Sequence, residues 1–146
     1  MLFEYQIYTT RQNEMVNITG MINESVAKSG VKEGTCIVFN PHTTAAITIN
    51  EGADPDVTSD ILMEMSKIVP QSDNYRHFEG NSAAHIKSSL FKTSTQIIIH
   101  EEKPLLGTWQ AIYFCEFDGP RQRKFYVKVQ KDMEEPVVLD DEVDDN

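Results

Sequence analysis

The chain has 146 residues, 40% hydrophobic and 25% charged, which suits one domain with a core of its own. Its formal charge of −10 is unevenly placed. Residues 132–146, DMEEPVVLDDEVDDN, hold eight acids and no base, leaving 15 acids against 13 bases in residues 1–131. A near-neutral body lacks the basic footprint of a nucleic-acid binder, and no apolar run is long enough to span a membrane.

Residues 2–9, LFEYQIYT, alternate as a first strand does, with no basic region leading into an apolar core, so no secretion signal is expected. Ile18, Met21, Ile22 and Val26 recur at helical spacing and Gly30 follows as a stop, which predicts a helix over 17–29. TCIVFN (35–40) reads as a strand. Pro41 interrupts it, and TAAITIN continues as a second strand or as the same strand past a bulge. Asp54 and Pro55 suit an N-cap and first helical position. The helix they open carries Val57, Ile61, Leu62, Met65 and Ile68 on one face and closes before Pro70. Residues 70–82, PQSDNYRHFEGNS, form a long polar loop without periodicity, a common place for function.

AAHIKSSLF then predicts a short helix, TQIIIH (95–100) a strand and EEKPLLG a turn. TWQAIYFCEF (108–117) is a long strand with Trp109 expected in the core. DGPR (118–121) is a tight turn, and RKFYVKVQ is expected to return as an antiparallel partner, making the last strands sequential hairpins. Cys36 and Cys115 lie in apolar strand runs, as buried free thiols of a cytoplasmic protein do. The sum is a strand-rich α+β fold: an antiparallel β-sandwich or flattened barrel with two or three flanking helices. Residues 1–131 form the single domain and 132–146 an acidic tail whose like charges repel, with Val137 to Leu139 its one segment able to dock.

The run NPHTTAAITINEGADPD (40–56) holds the first candidates. His42, Thr44, Thr48 and Asn50 share one strand face, and Glu51, Asp54 and Asp56 follow. Eight strand residues span roughly 26 Å. His42 and Asn50 therefore serve two sites, or one site shared with a neighbouring copy. His77 lies in the polar loop, His85 begins the short helix and His100 ends a strand. Imidazoles with a carboxylate suit a transition metal with an open position, although the spacing matches no closed zinc-finger pattern. Lys87, Ser88 and Ser89 share a helical turn and, with Thr43, Thr44 and Arg121, suit a phosphate. No phosphate-binding glycine motif and no serine-hydrolase elbow is present. Gln110 and Glu116 bracket an apolar strand face, which is costly if they are buried without partners.

HTTAAITINEGADPDV, YRHFEGNSAAHIKSSL, LLGTWQAIYFCEFDGPR and the closing hydrophobic strand resemble the YjbQ family, small uncharacterised proteins described as secondary thiamine-phosphate synthases. The likeness covers almost all of residues 1–130. It implies a jelly-roll-like fold, a homotrimer, and a site built from its motif positions. Those positions are His42, Thr43, Asn50, Glu51 and Asp54; then His77, Glu79, Gly80, His85, Lys87 and Ser88; then Gly107, Thr108, Trp109, Gln110, Glu116 and Arg121. On this resemblance His42, His77, His85 and Glu51 are the expected catalytic groups. Thr43, Lys87, Ser88, Gln110 and Arg121 are expected to hold a small phosphorylated substrate. A divalent metal, zinc or magnesium, would sit on His42, His77 and His85. The implied reaction joins a pyrimidine diphosphate to a thiazole phosphate and releases pyrophosphate, whose charge needs a metal or a cation such as Lys87 or Arg121. The alternatives are another metal-assisted reaction on a phosphorylated molecule, or a non-catalytic trimer that binds a small anion.

Overall fold

The computed structural model describes residues 1–134 and 137–139, and what is expected of the remaining tail residues lies outside the described residues. In chain order the elements are β1 (Leu2–Tyr8), β2 (Glu14–Asn17), α1 (Thr19–Ser29), β3 (Gly34–Phe39), β4 (Ala45–Glu51), α2 (Pro55–Ile68), α3 (Ser82–Phe91), β5 (Ser94–His100), β6 (Lys103–Pro104), β7 (Gln110–Glu116) and β8 (Gln122–Lys131). They form a five-stranded sheet, β1-β8-β3-β5-β6, and a three-stranded sheet, β2-β7-β4. Every strand pairing is antiparallel. The strand-rich α+β architecture is the one expected.

Alternation along the strands builds the core. Val38, Phe125 and Val127 from the larger sheet meet Ile47, Ile112 and Phe114 from the smaller, and Ile18, at the N-cap of α1, joins Ile22 and Val26 of that helix. The smaller sheet is covered on its other face too, where Ala46, Ala111, Tyr113, Cys115 and Phe117 pack with Ala84 of α3. Burial on both faces explains the unbroken apolar run of β7.

Local signals hold where they were strong. Gly30, at φ +68°, ends α1 in the left-handed region, where a residue without Cβ fits. The Asp54 carboxylate accepts the Asp56 N–H at 2.9 Å and Pro55 opens α2. Past Pro41 the chain does form a second strand, and that strand lies in the other sheet.

Two expectations are corrected, one strand is new and one possible contact is not made. β7 and β8 are not hairpin partners: β8 lies between β1 and β3, and β7 between β2 and β4. The 118–121 turn carries the chain across the sandwich because Glu116 and Arg123, on either side of it, pair between the sheets instead of across one ladder. Trp109 is 63% exposed: pairing on β7 starts at Gln110, opposite Glu51, so Trp109 stands beyond the ladder. The four-residue β2 was not expected, being too short for alternation to mark it, and exists by pairing with β7. Val137, Val138 and Leu139 are exposed and do not dock.

Candidate functional site

β3 stops at Phe39, opposite Tyr126. The turn that follows is clamped by the buried Asn40. Its Oδ1 accepts the His42 N–H at 2.9 Å, and its Nδ2 donates to the Ala45 carbonyl at 2.7 Å. This aims the His42 ring at β8, where Nε2 accepts the Lys124 N–H at 3.0 Å. By register Lys124 lies two residues past the last β3 pair, so His42 supplies the acceptor that a longer β3 would have offered. A neutral ring whose Nε2 accepts must carry its proton on Nδ1. Burial, then the positive charge of Arg123, hold the His42 pKa below the ordinary histidine value. The Lys124 N–H acts the same way, since only an unprotonated nitrogen can accept it.

Arg123 is 3% exposed although it is charged, because it shares the inward face of β8 with Phe125, Val127 and Val129. Its Nε donates to Glu116 Oε1 at 2.9 Å, and its Nη2 donates to Glu116 Oε2 at 2.5 Å and to Thr44 Oγ1 at 2.8 Å. Glu116, 0% exposed, also accepts the Thr9 hydroxyl at 2.7 Å and the Asp118 N–H at 3.0 Å. Burial alone would raise this carboxyl. The donors from Arg123, Thr9 and Asp118 outweigh it and keep the pKa below the usual carboxylate range. Arg123 Nη1 is left without a partner among the described residues.

That guanidinium lines a cleft of about 370 Å³. The β3–β4 turn contributes Pro41, His42, Thr43 and Thr44; the polar loop and α3 contribute Glu79, Asn81 and His85; the β7–β8 turn contributes Asp118 and Arg121. Arg121 donates through Nε to the Asp118 carbonyl at 2.8 Å and through Nη2 to Oδ2 at 3.1 Å, and Asn81 Nδ2 reaches the same Oδ2 at 3.0 Å. Asn81 Oδ1 is buried and has no partner among the described residues. Two further hollows adjoin at His85. One carries His42, Thr43 and Ser88, the other Tyr75, Arg76 and His77. The His77 ring stands edge-on to His85 at 5.6 Å between centroids, and its Nε2 lies 3.5 Å from Glu79 Oε2.

The cleft thus collects His42, Thr43, His85 and Arg121, with His77 touching it through His85. Other sequence candidates lie elsewhere. Lys87 is 3% exposed and lines none of these hollows. Its Nζ donates to Asn13 Oδ1 at 3.1 Å over the Phe117 ring, and burial lowers its pKa. Ser88 lines the adjoining hollow but gives its hydroxyl proton to the Ala45 carbonyl. Glu51 and Gln110 face each other across the opposite end of the β4–β7 ladder, where Gln110 Oε1 accepts the Gly107 N–H at 2.8 Å. His42 and His85 line one cleft and His77 stands beside His85, and among the described residues no three His, Cys, Asp or Glu side chains meet in a metal-holding group. Sequence reasoning missed Arg123, Asn81 and Asp118 as site residues. The signal for Arg123 was present, a charge in step with Phe125, Val127 and Val129 on the apolar side of QRKFYVKVQ.

Comparison with known proteins accords with this fold. The profile of the UPF0047 protein YjbQ-like family matches residues 3–132. The chain belongs to that family. It is 56% identical over 129 residues to UPF0047 protein MJ1081 of Methanocaldococcus jannaschii, covering 88% of this chain and 94% of the relative. It is 47% identical to UPF0047 protein YugU of Bacillus subtilis, covering 88% and 98%. Among solved structures, an uncharacterised YjbQ/UPF0047 family protein of Clostridium acetobutylicum superposes with a TM-score of 0.87 at 54% identity, covering 88% of this chain and 99% of the other. A protein of unknown function from Sulfolobus solfataricus does so with a TM-score of 0.87 at 32% identity, covering 90% and 97%. The acidic tail past residue 132 lies outside the matched region. No helix among the described residues is long and apolar enough to cross a membrane.

Proposed function

We propose that the cleft binds the phosphate or pyrophosphate of a small molecule. The observation that carries this reading is the buried Arg123, whose guanidinium is held by Glu116 and which lines a cleft together with Arg121, Thr43 and His42. A guanidinium already desolvated and oriented binds an oxyanion at little ordering cost. Calorimetry with inorganic pyrophosphate tests it. Arg121→Ala, at the exposed rim, should weaken binding about tenfold while leaving the fold intact. Absence of heat with the unaltered protein removes the reading.

For the reaction we carry the family resemblance forward: displacement of pyrophosphate from a pyrimidine diphosphate by a thiazole phosphate. Arg121, as first expected, and Arg123, in place of Lys87, would then stabilise the leaving group, and His85, common to all three hollows, would be the proton-transfer group. A zinc or magnesium ion brought in with the phosphates would supply further charge neutralisation beside Glu79 and His85. In a strain lacking thiamine-phosphate synthase this chain should restore growth and its His85→Ala variant should not. Failure of the unaltered chain leaves an anion-binding protein without this turnover.

We further propose self-association as a trimer, in the cytoplasm. What supports assembly is α2, an amphipathic helix with no buried residue, whose Met63 and Ile68 are exposed in the single chain. Sedimentation equilibrium decides it, and a monomer at micromolar concentration refutes it.

A further inference from the structure

We infer that His42 works in this cleft as a neutral hydrogen-bond donor through Nδ1–H, neither a metal ligand nor a cation, and that the anion it helps to hold is a fully ionised phosphate monoester. The identity of the anion rests on the reading above; the state of His42 does not.

The inference starts from one bond. Lys124 N–H lies 3.0 Å from His42 Nε2. That donor is a backbone amide of β8, so it cannot be reversed. Nε2 is therefore the lone-pair nitrogen, and Nδ1 keeps the proton in the neutral ring. A protonated Nδ1 has no lone pair for a metal. Binding one there would require either loss of the Lys124 bond or a second deprotonation. Protonating Nε2 would set N–H against N–H and add a charge beside Arg123. The charged groups near the ring are Arg123 and Lys124, which oppose protonation, and Glu116, whose charge is already matched by Arg123. On the cleft's other walls stand Glu79, His85, Asp118 and Arg121, with Asp118 paired to Arg121.

Donors that keep their protons across the neutral range select the ligand by its own ionisation. Arg123 Nη1–H, the Thr43 hydroxyl and His42 Nδ1–H are all such donors. A phosphate monoester loses its second proton near pH 6. Affinity is then set by the dianion and rises with pH through that value, which is opposite to the trend for a site built on cationic histidine.

Two experiments test this on the full chain. Nitrogen-15 NMR of the imidazoles at pH 7 needs no ligand. It should show His42 protonated on Nδ1 and bare on Nε2, with zinc leaving its nitrogen shifts in place. An Nε2–H tautomer, an imidazolium, or a zinc-shifted Nδ1 overturns the inference. Calorimetry with ethyl phosphate supplies the second readout. An Asn amide nitrogen overlays the position of Nδ1 and a Gln amide nitrogen that of Nε2. His42→Asn should therefore retain binding to within a few-fold, while His42→Gln and His42→Ala each lose about tenfold. Binding by the unaltered protein should strengthen from pH 5.5 to 7.5. Equal losses in all three variants, or tightening on acidification in a His85→Gln background, overturns the donor role and leaves the anion cleft standing. No binding at either pH removes the cleft reading and the dianion with it, and the NMR result then stands or falls alone.

Discussion

Replacing Arg123 by alanine would remove two hydrogen bonds to Glu116 and the bond to Thr44 Oγ1. Glu116 would stay behind at 0% exposure with only the Thr9 hydroxyl and the Asp118 N–H as donors. Removing one partner of a buried pair costs about 3–5 kcal/mol, because the remaining charge is desolvated without compensation. That is a large part of the roughly 5–15 kcal/mol that holds a domain folded. For a chain of this length it corresponds to a fall in Tm of roughly 10–16 °C. Urea unfolding at fixed protein concentration, followed by circular dichroism, measures it. The loss should be little changed by added salt, since the pair is shielded from mobile ions. Acid gives a second signature. The carboxyl of Glu116 is held low in the intact protein, so its contribution is full above the unfolded value near 4.3 and is lost as pH falls through the folded value. Without Arg123, burial would dominate and raise that pKa, so the variant should draw level with the intact protein as pH falls. Replacing both partners together, Glu116→Leu with Arg123→Met, should cost less than Arg123→Ala alone. A loss below about 1 kcal/mol in Arg123→Ala, or no narrowing of the gap in acid, would refute the account of a buried, mutually dependent pair.

The depressed His42 pKa means that the unfolded chain binds more protons below about pH 6.5, so stability should fall as pH drops from there through the folded value. Thermal unfolding between pH 5 and 7.5 should show His42→Ala losing this slope. His100, held up by its bond to Glu33, contributes with the opposite sign, and Glu33→Gln should remove its loss of stability on raising the pH. Gly34→Ala should destabilise by about 1–3 kcal/mol, because the new Cβ lands on the Gln130 backbone carbonyl where β3 pairs with β8; an unchanged urea midpoint would show that the ladder yields freely. Deleting residues 132–146 should leave Tm and sedimentation behaviour unchanged, since Val137 to Leu139 make no apolar contact with the body, and a marked fall in Tm would reveal a docking site.

The order of strands and helices could be read from the chain because its causes are local. Alternation in TCIVFN, the helical spacing of Ile18, Ile22 and Val26, the cap at Asp54 and the stop at Gly30 each involve residues within a turn or a few strand positions. The quoted motifs also contain His42, Thr43, His85 and Arg121 of the cleft; His42, Thr43 and Arg121 sit where the backbone turns, and His85 in α3. What folding alone decided were the pairings between distant segments. Chain neighbours β7 and β8 look like a hairpin by pattern, yet their ladders form with β4 and β2 and with β1 and β3. That choice buries Glu116 against Arg123, exposes Trp109 past the end of its ladder, and sends Lys87 inward to Asn13. It also places the Lys124 N–H, 82 residues from His42, where it sets that ring's tautomer. Periodicity shows which face of a strand is apolar, but it is blind to which strand will lie beside it. The protonation state and partner of each polar group depend on that neighbour.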